Sequence, residues 1–269
     1  MGILGQESLV KDLTKVMNIF SASRGEIRPH FILTGASGCG KSFTIASLAN
    51  QLELPYVEIN AAQLTKEGTS GNSVSKALAP LATKGGKPTI CFVDEFDKLF
   101  ISGNSNSDLA HESTNGVQNE FLKVLESDEA SVYGDYGKYV NISVKNVLFV
   151  FAGAFNGEED ITLDRLRDLG LKTEFLGRVG LVFNTKPLTL ETLYEILDQS
   201  TLLRNYINLH SNVDEESVKY IIKAKIKENF DANTLGARMI NTLIHQYFIK
   251  GGFKDNTEKS VTFQNKLIL

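Results

Sequence analysis

The chain has 269 residues, 42% of them hydrophobic and 22% charged, with a formal net charge of -4; at about 150 residues per domain this means one large domain or two small ones with enough apolar content for a buried core. The acidic balance argues against a protein that coats nucleic acid, though not against a local basic channel. Two cysteines, Cys39 and Cys91, and four scattered histidines exclude a disulfide framework and point away from a structural metal site, and no run approaches the roughly 20 apolar residues that span a bilayer.

The opening residues, Met1-Gly2-Ile3-Leu4-Gly5-Gln6, lack a basic and then apolar leader, so the expectation is a cytoplasmic protein with no membrane partner. Leu9, Val10, Leu13, Val16, Met17 and Phe20 recur at three- and four-residue spacing and predict a helix, which the segment from Gly25 to Pro29 ends. Phe31-Ile32-Leu33 reads as a short strand running into a glycine-rich loop, with a helix after it over 42–52. Further strands are predicted at 56–59, 89–93, 146–151 and 181–183. Continuous apolar strands separated by helical patterns mean a parallel sheet covered on both faces. The fold class is therefore α/β, a doubly wound parallel five-stranded sheet. From Thr189 onward three helical patterns (190–202, 215–230, 234–249) follow without a strand between them. This divides the chain into an α/β domain, 1–187, and a small all-α domain, 188–269. Residues 260–263 alternate and suggest one more strand, and the Ser-Gly-Asn run over 102–107 reads as a mobile loop.

Gly35-Ala36-Ser37-Gly38-Cys39-Gly40-Lys41-Ser42 fits G-x-x-x-x-G-K-[ST], with an apolar strand before it and a helix after it. Backbone N–H groups freed by the glycines can turn toward phosphate oxygens, and the helix N-terminus adds its positive end. Lys41 would then reach the β- and γ-phosphates and Ser42 would ligate Mg²⁺. Cys39 reads either as a redox switch or as a small residue at a variable position. The strand over 89–93 ends in Asp94-Glu95. Beside the strand that leads into that glycine-rich loop, Asp94 would hold the Mg²⁺ shell through water, and Glu95 would polarise the water that attacks the γ-phosphate. Lys219, Lys223 and Lys227 share a helix face, which reads as a solvated face or as a nucleic-acid stripe.

Five segments in order resemble the AAA+ ATPases of the ClpX/HslU unfoldase branch. Ile3-Leu4-Gly5-Gln6 resembles the adenine-side box, and ICFVDEFDKL over 90–99 resembles the Walker B segment. FVFAGAF over 149–155 resembles the sensor-1 strand, although Ala152 stands where many AAA+ proteins place Asn or Thr, with Asn156 nearby. DLGLKTEFLGR over 168–178 resembles the arginine-finger segment, and Gly236-Ala237-Arg238 resembles sensor 2. The resemblance implies an ATP- and Mg²⁺-dependent hydrolase with a helical lid, assembled as a homo-oligomeric ring, usually a hexamer. Ile3 and Leu4 would lie on the adenine side. Arg178 would reach a neighbour's γ-phosphate, and Arg238 would touch phosphates in cis. These arginines join Glu95 as catalytic candidates.

Against that branch, the channel loop aligned with Gly-Tyr-Val-Gly reads Gly68-Thr69-Ser70-Gly71, and the interval 156–168 holds no peptidase-docking tripeptide. With two cysteines, these residues are expected to hold no zinc module of that branch. The expected activity is thus remodelling of an unknown protein client or complex without a ClpP-type peptidase. A hairpin predicted over 131–140 could present Tyr133 and Tyr136 to the channel, or pack them on its own strands. The alternative function is a nucleic-acid-associated AAA+ switch, such as a helicase or clamp loader. A weakly catalytic nucleotide-dependent scaffold is a third reading.

Overall fold

The computed structural model describes residues 2–65, 72–101, 108–134, 137–210 and 213–253, with 108–114 as backbone only. Thr69, Ser70, Tyr136, the run 102–107 and the alternating tail 260–263 lie outside the described residues. The chain forms two compact units, residues 7–36 with 41–185 and residues 2–6 with 37–40 and 186 onward.

In the first unit the elements run α1 (Glu7–Ala22), β1 (Phe31–Thr34), α2 (Lys41–Gln51), β2 (Tyr56–Asn60), α3 (Val74–Ala77), β3 (Thr89–Asp94), α4 (Asp108–Glu126), β4 (Glu129–Tyr133), β5 (Tyr139–Ser143), β6 (Val147–Gly153), α5 (Leu163–Asp168), α6 (Thr173–Arg178) and β7 (Leu181–Asn184). Five strands make a parallel sheet in the order β2-β3-β6-β1-β7. The predicted doubly wound sheet is therefore present. One detail differs from expectation: β3 does not lie beside β1, because β6 inserts between them. Crossing helices decide that order, and strand composition alone carries no record of it.

The central strands are apolar throughout because both faces are covered. Ile32, Cys91, Val93, Phe149 and Phe151 point into one core with Val117, Phe121 and Leu125 of α4 and Phe175 of α6. Phe31, Leu33, Phe92 and Val150, one residue out of phase, are buried on the opposite face. Leu9, Leu13, Met17 and Phe20 give α1 its buried stripe, and α1 meets α2. Each fully buried Phe contributes about 1.5–3 kcal/mol. His30 is buried at the start of β1, and its Nδ1 accepts a hydrogen bond from the Phe149 N–H at 3.0 Å. Burial, then the nearby Arg28 charge, lowers its pKa to about 3, so it serves as a neutral acceptor.

The predicted hairpin forms as an antiparallel pair, β4 with β5, in which Tyr133 faces Tyr139. The two rings meet edge to face at 5.6 Å, yet Tyr133 remains 39% exposed.

The second unit holds α7 (Leu190–Asp198), α8 (Thr201–Asn208), α9 (Glu215–Glu228) and α10 (Arg238–Lys250) around Leu193, Leu197, Leu203, Val218, Ile222, Ile226, Ile240 and Ile244. The sequence predicts one helix over 190–202, whereas the structure has a break. Ser200 is extended (φ -65°, ψ 116°), and its hydroxyl accepts from the Leu203 N–H, starting α8 afresh. Likewise the last helix begins at Arg238 rather than 234, because Gly236 is occupied by a close backbone approach to Gly38.

Candidate active site

Strands β1 and β3 are parallel to β6 in registers that pair Thr34 with Gly153 and Val93 with Phe151. Their carboxyl ends therefore lie at one end of the sheet, the end where open α/β sheets bind ligands. From β1 the chain enters the glycine-rich loop and leaves it as α2. Lys41 is the first residue of α2, and its Nζ folds back to donate to the carbonyls of Gly35 at 2.6 Å and Ala36 at 3.1 Å. Its ammonium thus lies along the loop, and Ser42 follows it in the first turn. Gly35 is pressed against Thr185 just after β7, where an added Cβ would lie 1.7 Å from Thr185 Oγ1. That hydroxyl is buried with no hydrogen-bond partner among the described residues.

Asp94 ends β3, half-buried, and its Oδ1 accepts from the N–H of Glu95 at 2.8 Å. Glu95 is exposed and holds a left-handed backbone, φ 55° and ψ 30°. For a residue with a Cβ this conformation costs on the order of 1–3 kcal/mol, persists only where the surroundings impose it, and is concentrated at functional sites. The surroundings here are the next two residues. Phe96 is buried among Phe151 at 4.6 Å, Phe175 at 5.1 Å, Phe100 at 5.6 Å and Phe121 at 6.1 Å. Asp97 is wholly buried, and its Oδ2 accepts from the Phe155 N–H at 3.1 Å.

Ala152, in the strand expected to resemble sensor 1, is buried inside the sheet and paired with Leu33. Asn156, just beyond the strand, is exposed at φ 58°. Arg178 closes α6, is 53% exposed, and donates to Glu126 Oε1 at 3.1 Å at the end of α4. Lys172, before α6, is tied to the same helix through Asn119 at 2.6 Å. The arginine thus stands on a braced but solvent-facing corner.

In the second unit, Ser37, Gly38, Cys39 and Gly40 lie with the start of α10. The Ala237 N–H donates to Gly38 O at 3.0 Å, and Arg238 donates to Ser37 Oγ at 3.2 Å. Gly38 has φ +78°, and a Cβ there would meet the Leu235 carbonyl oxygen at 2.0 Å. Cys39 is buried and in no disulfide. Ile3 and Leu4 are half-buried. Beyond them Gln6 clasps Lys186 through two hydrogen bonds, Nε2 to the carbonyl at 2.7 Å and backbone N–H to Oε1 at 3.0 Å.

The fit to a triphosphate and Mg²⁺ can be judged from these groups. Gly40 has φ +85°, and a Cβ built on it meets nothing within 4 Å, so the space beside the loop is open. A lysine ammonium along the loop suits phosphate oxygens. The Ser42 hydroxyl and the Asp94 carboxylate are hard oxygen donors of the kind Mg²⁺ takes, usually few in number because water and phosphates supply the rest. Among the described residues no cluster of three or more His, Cys, Asp or Glu could hold a metal alone. The residues present fit the group.

Sequence reading did not single out Asp97 or Thr185. Asp97 looks like a surface acid beside Lys98, and only its place between the apolar Phe96 and Leu99 hints at burial; Thr185 carries no signal. The lysine stripe proves largely neutralised. Lys219 pairs with Glu215 at 2.7 Å, and Lys223 pairs with Asp198 at 2.7 Å.

A sequence profile of the ATPase family associated with various cellular activities (AAA) matches residues 31–166, about half of the chain. The chain is also similar to the ATP-dependent Clp protease ATP-binding subunit ClpX from two strains of Bacteroides fragilis. Each is 25% identical over 289 aligned positions, which cover 87% of this chain and 68% of the relative.

Proposed function

Since the chain belongs to the AAA family of ATPases, we propose that it hydrolyses ATP at the loop 35–42 and couples turnover, as a homo-oligomeric ring, to remodelling a protein client or macromolecular complex without a docked peptidase. The observation that carries this reading is the shared sheet end. Lys41 and Ser42 follow β1 there, Asp94 ends β3 and Glu95 comes directly after it. The similarity to ClpX, named for ATP binding within a protease, supports the unfoldase branch over a helicase or clamp loader. The paired lysines of α9 favour the same choice.

In this reading the backbone N–H groups of 37–41 and the Lys41 ammonium bind and orient the β- and γ-phosphates. Ser42 and Asp94 would hold Mg²⁺, which when bound supplies positive charge against the phosphate oxygens. Glu95 orients the attacking water and takes its proton at a carboxylate oxygen. Arg238, already bonded to Ser37, would meet phosphate in the same subunit, with Ile3 and Leu4 on the adenine side. Arg178 would offer its guanidinium to the phosphate of a neighbouring subunit as charge develops.

The test is Glu95→Gln. With Lys41, Ser42 and Asp94 untouched, a fluorescent ATP analogue should bind as it does to the unmodified protein, while steady-state phosphate release falls by about 100-fold or more. Unchanged turnover would remove Glu95 from this role.

A further inference from the structure

We propose that Asp97 is a positioning residue for hydrolysis: its buried carboxylate latches the turn that carries Glu95 to the turn that follows β6, and the latch holds Glu95 where the attacking water must be met. This rests on the reading of Glu95 as the water-activating group.

Three residues with a Cβ stand in the left-handed region in these two turns, Glu95 at φ 55°, Phe155 at φ 48° and Asn156 at φ 58°. The carboxylate of Asp97 joins them, because Oδ2 accepts the N–H of Phe155 itself, one of the strained residues. Phe96, between Glu95 and Asp97, fixes the first turn from below through its contact with Phe151 of β6.

The carboxylate is a costly way to fill this place. Asp97 is 0% exposed, and its Oδ1 has no hydrogen-bond partner among the described residues. Lys98 Nζ stands 3.6 Å from Oδ2, on a side chain that is half in solvent. Burying a carboxyl group so thinly satisfied is unfavourable, and an apolar side chain of similar volume would avoid that cost. What the apolar residue could not do is accept the Phe155 N–H and so tie the strained turns together. Gly153 makes the arrangement possible. A Cβ on Gly153 would approach Asp97 Oδ1 to 2.6 Å and the Phe155 ring to 2.8 Å, so only glycine leaves the carboxylate its seat.

The experiment compares kcat and KM for ATP, with analogue binding, in the unmodified protein, Asp97→Val, Asp97→Asn, Gly153→Ala and, as reference, Glu95→Gln. Asp97→Val removes the acceptor at nearly constant shape and is expected to lower kcat about tenfold or more, since small misplacements at a reacting centre are that costly. KM and analogue affinity should stay within about twofold, the pattern of a lost transition-state interaction. Asp97→Asn keeps an acceptor for the Phe155 N–H and should recover at least about threefold of that loss, which a purely space-filling role would not give. Gly153→Ala crowds the same oxygen and should repeat the kcat loss at unchanged KM. Should Asp97→Val fail to fold, Gly153→Ala decides alone, and turnover equal to the unmodified protein overturns the latch. So do a normal kcat in Asp97→Val, an Asn variant no better than Val, or losses in which kcat and affinity fall together. A fully active Glu95→Gln would instead overturn the hydrolysis reading, and the latch with it.

Discussion

A methyl group on residue 38 would sit 2.0 Å from the carbonyl oxygen of Leu235, on a backbone whose φ of +78° already disfavours any side chain. Gly38→Ala is therefore expected to lose about 1–3 kcal/mol of stability and to weaken binding of an ATP analogue, read by urea denaturation and by titration. His30 makes a prediction of a different kind. Its imidazole is held neutral in the fold, with a pKa of about 3 against the ordinary 6.5. The unfolded chain takes up a proton as pH falls below 6.5 and the native chain does not. Stability from this group is thus complete above 6.5 and declines at about 1.4 kcal/mol per pH unit toward 3. Between pH 7 and pH 5 the loss is about 2 kcal/mol, and a His30→Gln protein, which keeps an acceptor for Phe149 without titrating, should show that much less acid sensitivity in urea unfolding. Single residues were unevenly legible in the sequence. Lys41, Ser42, Asp94 and Glu95 announce themselves by spacing, whereas Asp97 and Thr185 matter through burial, which a one-dimensional pattern of charge does not encode.

At the level of elements, the turn after β3 works because Phe96 is sunk into rings contributed by β6, α4 and α6. Truncating it should disturb all three. Phe96→Ala is expected to cost about 3–5 kcal/mol, measurable as a drop in the urea midpoint, and to lower ATP turnover even at temperatures where the variant stays folded. The strands were readable because burial on both faces makes them continuously apolar. Helix α4 was not, since its stripe of Val117, Phe121 and Leu125 begins only after a polar first half. The break between α7 and α8 hung on one serine. Ser200 reads as a tolerable helix residue until its hydroxyl is seen to cap Leu203; Ser200→Ala should cost about 1 kcal/mol of stability. Sheet order was illegible for a different reason. Which strand lies beside β1 depends on the crossover that α4 and the β4–β5 hairpin make before β6, a matter of chain path rather than composition.

For the molecule as a whole, the candidates for the proposed nucleotide chemistry are distributed along the chain from Ile3 to Arg238. Arg178 is among the exposed ones. It is half-exposed at the end of α6 and tethered to Glu126. An arginine so placed can serve a neighbour's phosphate, as a ring whose active sites are completed between subunits requires. The decisive measurement is ATP turnover in a mixture of two variants each expected to be inactive, Lys41→Ala, which removes the proposed phosphate-binding lysine, and Arg178→Ala, which removes the arginine proposed to reach across. Where an Arg178→Ala subunit faces the intact Arg178 of a Lys41→Ala neighbour, both halves of one site are present. Turnover in the mixture well above the sum of the two separate proteins is expected, vanishing on dilution below assembly. Full ATPase activity of the unmodified chain as a dilute monomer, or a mixture no more active than its parts, would contradict it.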